Sequence, residues 1–441
     1  MTQRTPVGHI PFRKQLILTA IVAVTLRLIW WLCVWTSGSN GFVLFDSPQY
    51  ILLAENLLEH GEFSRSEAAP FFPDIARTPG YPLFLIPFFK LGIAIHWIAL
   101  TQILLSAAIP LLVLDIARKL ELKGRWIAAI IPSIDLSLLL FAPVILSDSL
   151  FILLLTWWIW WMVSKEGKQR LWGALILGLV ILVRPIAQFI PFLLLGWMIW
   201  SKFPKKQILA YFLIAMFLPG FWIARNYQQF EAATLSSMGL NNLMLYNAAG
   251  AEAAATGVPF TEVQQKYVTA ALEAQDWYGD PLATKKYLSW MRENALDVLA
   301  EYPSTVAYQS AKSLGLYFFK PPRSYFDQQF NWDYSYDPIL GYDENSASIF
   351  SQITGKTSTG GIVLMFLQAF INLATFLLGV LGIRTLWKKH RQWTMLFILL
   401  ILYFWFLSVF TQTDARFRLP VIPLLALFAA AKGFPRLTRR V

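Results

Sequence analysis

Residues Leu16–Trp35 read LILTAIVAVTLRLIWWLCVW, and this stretch decides the fold. It carries a single charge, Arg27. A helix needs about 20 predominantly apolar residues to cross a bilayer core, and this run has that length. Six more runs reach or approach it: Ala94–Ile116, Leu150–Val163, Leu175–Trp200, Ile208–Ile223, Gly361–Ile383 and Trp393–Phe410. Of 441 residues, 56% are hydrophobic and 14% charged, against about 25% charged in soluble domains. A soluble globular class is therefore excluded.

The net charge of +11 has a topological reading. We place crossings at 15–35, 94–117, 126–143, 147–163, 171–184, 186–201, 207–224, 361–383, 393–410 and 419–431. With ten crossings both termini share a side. That side collects 21 of the 37 Lys and Arg, in clusters such as Arg118, Lys119, Lys123 and Arg125. Cytoplasmic loops concentrate such charge, so the termini are expected inside and segments 36–93 and 225–360 outside. The first run lacks a small-residue cleavage site and is expected to be retained as a helix. Cys33 is the sole cysteine, which rules out an internal disulfide. Many of the 19 Trp lie near predicted helix ends, as at Trp157 and Trp161; an interfacial belt accounts for them, and a sugar-stacking platform is the alternative.

The organisation expected is a module over 1–224, an outward segment over 225–360, and C-terminal crossings over 361–441. In the first outward loop, apolar spacing predicts a helix over Tyr50–Leu58, with Gly61 ending it. Tyr81–Leu91 is too short to cross and reads as interfacial or re-entrant. Amphipathic helices are predicted over 261–275 and 282–301, the latter opened by Asp280 and Pro281. Thr305–Phe319 reads as interfacial, and Pro321–Pro338 as loop. No internal repeat or Gly-rich phosphate loop is present.

The first outward loop is dense in polar groups. It reads Phe45-Asp46-Ser47-Pro48-Gln49-Tyr50, then Ala54-Glu55-Asn56-Leu57 and Gly61-Glu62-Phe63-Ser64. It closes on Arg77-Thr78-Pro79-Gly80-Tyr81-Pro82. Here the chain resembles the GT-C superfamily of membrane glycosyltransferases, in its protein-O-mannosyltransferase-like and aminoarabinose-transferase-like branch. The resemblance extends to Leu146-Ser147-Asp148-Ser149, to Val183-Arg184-Pro185, to Trp222 with Arg225-Asn226, and to Asp414-Ala415-Arg416-Phe417-Arg418-Leu419-Pro420. It implies an all-α GT-C fold of about ten transmembrane helices with juxtamembrane helices outside. It also implies inverting transfer of a sugar from a polyprenyl-phosphate carrier to an acceptor hydroxyl on a lipid, glycan or protein. No acceptor-defining motif occurs in 225–360.

The residue types suit that chemistry. A base must take the acceptor proton, and Asp46 is the candidate. Asp is also a good N-cap before Pro48, so capping is its bland role. Asp148 is either a second carboxylate of the site or a cap. The leaving phosphate needs cations, and an Arg fork binds two oxygens; the outward candidates are Arg77, Arg184, Arg225, Arg416 and Arg418. Interfacial snorkelling, or pairing with a carboxylate, is the alternative for each. Tyr50, Tyr81 and Asn226 are candidate substrate contacts. Arg27 and Asp135 fall within crossings, where a structural ion pair is favoured over a functional role. No metal motif appears; Asp46 and Asp148 are the pair that could hold a divalent ion, and none is expected. No nucleic-acid partner is expected. The setting implied is a bacterial inner membrane with an extracytoplasmic site. A lipid flippase or secondary transporter is the rival class, although transporters place polar groups near the midplane. A ligase or polymerase using a diphosphate carrier is the closer alternative.

Overall fold

The computed structural model describes residues 11–273, 281–332, 358–408 and 414–433. The described chain is helical, with one isolated bridge between Ser64 and Pro73. The first helix, Phe12–Thr36, shows why this is a membrane architecture. It buries Gln15, Thr19, Ala23, Arg27 and Trp31 at four-residue spacing, and it turns Ile17, Ile21, Leu28 and Ile29 outward. Helix Lys205–Phe230 likewise exposes Leu209, Leu213, Phe217 and Phe221. Bands of bare aliphatic surface this long occur where lipid is the solvent.

Among the described residues, five helices are long and apolar enough to cross: Phe12–Thr36, Ile95–Lys119, Ser147–Ser164, Lys205–Phe230 and Thr359–Lys389. The second of these is two segments that meet at Ala107. The other expected crossings are shorter helices. The span expected at 126–143 is broken: Pro132 lies inside Arg125–Ile134, and Asp135 starts a new helix, Leu136–Phe141, by accepting a hydrogen bond from Leu138 N at 3.0 Å. Leu171–Val183, Ile190–Trp200, Arg391–Leu407 and Ile422–Lys432 are the remainder. The end of the 393–410 span, Asp280, Arg4 and the basic residues Arg436, Arg439 and Arg440 lie outside the described residues.

Ile422–Lys432 is buried along nearly its whole length between Arg125–Ile134 and Thr359–Lys389. Small residues allow this: a Cβ on Gly382 would overlap the Phe428 carbonyl. Small residues at helix interfaces are the usual packing device in membranes.

Arg27 and Asp135 do not pair. Arg27 donates to Ser106 Oγ at 2.7 Å and to the carbonyls of Ala23 and Pro132. Asp135 accepts from Gln368 Nε2 at 2.9 Å. Each is a local brace between helices.

The loop helices are Ser47–Glu59 and Gly80–Lys90, and Gly61 takes φ 72° just past the first. The second outward segment divides. Phe260–Glu273 and Pro281–Glu301 join residues 238–256 in a small core of their own, around Met244, Ala248, Tyr267 and Ala295. Pro303–Leu316 then leads back to the main core. The expected loop over 321–338 contains a helix, Arg323–Phe330. Its Phe326 and Gln329 are fully buried, so tertiary packing overrides a turn-like composition.

Candidate active site

Five charged side chains meet outside the helix ends. Asp46 occupies the N-cap position of Ser47–Glu59, yet its carboxylate makes no cap hydrogen bond. It turns away, to Arg77 at 2.8 Å through Oδ1 and to Arg416 at 3.4 Å through Oδ2. The local backbone explains the direction. Phe45 has φ 53°, a left-handed conformation that is strained for a bulky residue. Ser47 closes the turn by bonding the Leu44 amide and carbonyl.

Asp148 is in the first turn of Ser147–Ser164 and is 1% exposed. Arg184 meets its Oδ1, and Arg416 meets its Oδ2 at 2.7–2.8 Å through two nitrogens. Neither Asp148 nor Ser147 caps its helix; Ser147 Oγ bonds Tyr50 Oη at 3.2 Å. Arg416 thus bridges both carboxylates. A guanidinium holds the place between them where a bridging divalent ion would sit. No trio of His, Cys, Asp or Glu suited to a metal occurs among the described residues.

The scaffold around these groups is close-fitting. A Cβ on Gly80 would lie 2.6 Å from the Leu182 carbonyl, so glycine lets the Arg77 turn abut the residue pair before Arg184. Arg77 also donates to Gln49 Oε1 at 2.8 Å, and its guanidinium lies 5.1 Å from the Tyr50 ring centre. Tyr50 packs edge-on against Tyr81 at 4.9 Å, and Tyr81 is buried, donating to Gln102 Oε1. Asp414 accepts from Arg416 N at 2.8 Å and fixes the backbone that presents Arg416.

Burial opposes the ionisation of Asp46, but the neighbouring Arg77 and Arg416 outweigh it and hold its carboxyl below the usual range. Burial likewise disfavours charge on Arg416, and Asp148 and Asp46 more than reverse this, so its pKa is raised. Three guanidiniums against two carboxylates leave one positive charge. An anion with one negative charge would neutralise the cluster.

Arg418, Arg225 and Asn226 are not brought into it. Arg418, two residues beyond Arg416, is buried and donates to the carbonyls of Phe318 and Lys320 and to Ser137 Oγ. Arg225 donates to the Asp74 carbonyl at 2.7 Å and lies over the Phe63, Trp222 and Phe230 rings. Asn226 braces Thr234 O at 2.8 Å.

Sequence reasoning missed Gln49, Tyr325, Asp414 as a positioning group, and Tyr246. Tyr246 lies in an unusual π-helical turn, Leu243–Ala248, and is 41% exposed. Partial burial and the nearby Asp46 carboxylate push its hydroxyl pKa up. The turn before it docks on the Arg77 loop, where Ser237 N donates to Ile75 O at 3.0 Å. A π-turn often marks a functional place.

No family model matches the chain, and no curated protein does. Solved structures do. The apo oligosaccharyltransferase of Archaeoglobus fulgidus matches at a TM-score of 0.50 and 13% identity, over 94% of this chain and 50% of that one. The archaeal oligosaccharyltransferase AglB of the same organism, in complex with an inhibitory peptide and a dolichol-phosphate, matches at 0.50 and 12% identity, over 95% and 49%. This chain spans about half the length of those structures. The likeness shows the fold alone, a helical membrane architecture shared with the part of those structures that this chain covers.

Proposed function

We propose that the protein is an integral membrane glycosyltransferase that inverts the sugar it takes from a polyprenyl-phosphate carrier. Its path crosses the membrane ten times, with both termini cytoplasmic and the site extracytoplasmic, in a bacterial inner membrane. The observation that supports this most is the bridging of Asp46 and Asp148 by Arg416, with Arg77 and Arg184 alongside.

In this reading Asp46 takes the proton of the acceptor hydroxyl. The acceptor oxygen bonds to the anomeric carbon as the bond to the carrier phosphate oxygen breaks. The electron pair leaves on the phosphate, where Arg77, Arg184 and Arg416 neutralise it. A carboxylate held by two guanidiniums is a weak base. Phosphate that draws Arg416 and Arg77 toward itself raises the basicity of Asp46 when the acceptor arrives. The lone surplus positive charge suits a phosphodiester monoanion. Transfer of an oligosaccharide from a diphosphate carrier is the second reading, and the oligosaccharyltransferase neighbours favour its oligosaccharide half.

The test is transfer by purified protein from a panel of polyprenyl-monophosphate and polyprenyl-diphosphate sugars to extracted membrane acceptors, beside Asp46→Asn. Transfer from monophosphate donors that is lost in a folded, carrier-binding variant is the expected result. Undiminished transfer in Asp46→Asn overturns the base assignment, and diphosphate-only transfer selects the second reading. Carrier translocation without transfer makes the protein a flippase.

A further inference from the structure

Tyr325 sits where the second outward segment returns to the main core, far in sequence from the Asp46 loop. Its hydroxyl donates to Asp414 Oδ2 at 2.5 Å. The other oxygen of Asp414 accepts the amide of Arg416, whose side chain reaches both carboxylates. The ring of Tyr325 meets the strained Phe45 edge-on, with centres 4.8 Å apart and planes at 85°. It also meets Phe141 at 5.2 Å. The helix under it is pinned: Gln329 donates to Leu140 O at 2.9 Å and accepts from Trp30 Nε1 at 2.9 Å. Close to it, Ser39 Oγ donates to the Gln329 carbonyl at 2.5 Å.

Phe45 is costly where it stands, since a bulky residue in a left-handed conformation is strained and persists only when its surroundings over-determine it. The Tyr325 ring is one such surrounding contact, and it acts next to Asp46. Its hydroxyl acts, through Asp414, on Arg416. One side chain therefore touches the supports of both the carboxylate and the bridging cation.

We infer that Tyr325 is a positioning residue, a clamp that sets Asp46 through Phe45 and Arg416 through Asp414 in the same register. The inference rests on the glycosyltransferase reading for its catalytic half only.

The experiment is a double-mutant cycle on the full chain in detergent, with Tyr325→Phe, Arg416→Lys and, as a remote control, Arg225→Lys. It is read first on the thermal midpoint of the empty protein, which needs no substrate. It is read again on kcat/KM for transfer. Expected is a loss of about tenfold in kcat/KM for Tyr325→Phe that shrinks below about twofold in the Arg416→Lys background and persists beside Arg225→Lys. Thermal midpoints that add with Arg416→Lys overturn the clamp. Coupled midpoints with additive kinetics reduce Tyr325 to a structural residue and overturn its positioning role. A wild type that transfers from no carrier sinks the glycosyltransferase reading and the catalytic half with it, while the thermal cycle still decides the clamp.

Discussion

The two outward segments are built on different foundations. The first, which carries Asp46 and Arg77, packs Phe42, Tyr50, Ala54, Tyr81 and Leu85 into the main hydrophobic core. The second places residues 238–273 and 281–301 around a separate small core and touches the Arg77 loop through Ser236 and Ser237. Groups proposed to do the chemistry thus ride on the rigid bundle. Tyr246 rides on the satellite, which is joined to the bundle by few hydrogen bonds.

The contrast can be broken at four points. Asp46→Asn should cut transfer by about 10²–10⁴-fold, the range for a general base, with a smaller fall in the thermal midpoint than Arg416→Gln gives, since Asp46 loses its ion pairs with Arg77 and Arg416; an equal loss of transfer from Tyr246→Phe would put chemistry on the satellite too. Arg416→Gln leaves the buried Asp148 with Arg184 alone. Breaking a buried pair costs about 3–5 kcal/mol, so a marked fall in the unfolding midpoint is expected, and an unchanged midpoint would show the bridge to be dispensable.

The acid limb of kcat/KM sharpens the picture further. Asp46 is held below the unfolded carboxylate value of about 3.9, so transfer should stay flat as pH falls to about 5. Arg77→Gln should move that limb upward. The sign is fixed by linkage: a depressed carboxylate pKa adds stability above the unfolded pKa, and this is lost as pH falls through the folded value. Smallest is Ala295→Leu in the satellite core, where Ala295 is fully buried. Overpacking costs about 1–3 kcal/mol, and hydrogen exchange should quicken across 249–273 and 281–301 while helix Ser147–Ser164 stays protected. Loss of protection in both would join the two cores.

The apolar runs and the Arg-Thr-Pro-Gly-Tyr-Pro turn were legible because length and turn chemistry are local properties. Asp46, Asp148, Arg77, Arg184 and Arg416 were nameable one by one, since charges stand out in an apolar chain. Their pairing was not, because Arg416 meets Asp46 across 370 positions. Arg416 and Arg418 looked alike; only packing sends one to carboxylates and the other to carbonyls. Tyr325 gave no signal, since its stretch of Pro, Tyr, Asp and Asn has a loop's composition. The break at Asp135 was obscured by the apolar residues on either side.

The short helix Ile422–Lys432 has a consequence for biogenesis. Its 11 residues span about 16 Å, half of a hydrocarbon core. Lipid alone cannot hold it; the slot beside Gly379 and Gly382 can. Asp414 and Arg416 lead directly into this helix. Until it docks, the two carboxylates lack their shared cation, so a half-assembled bundle carries an unprimed site.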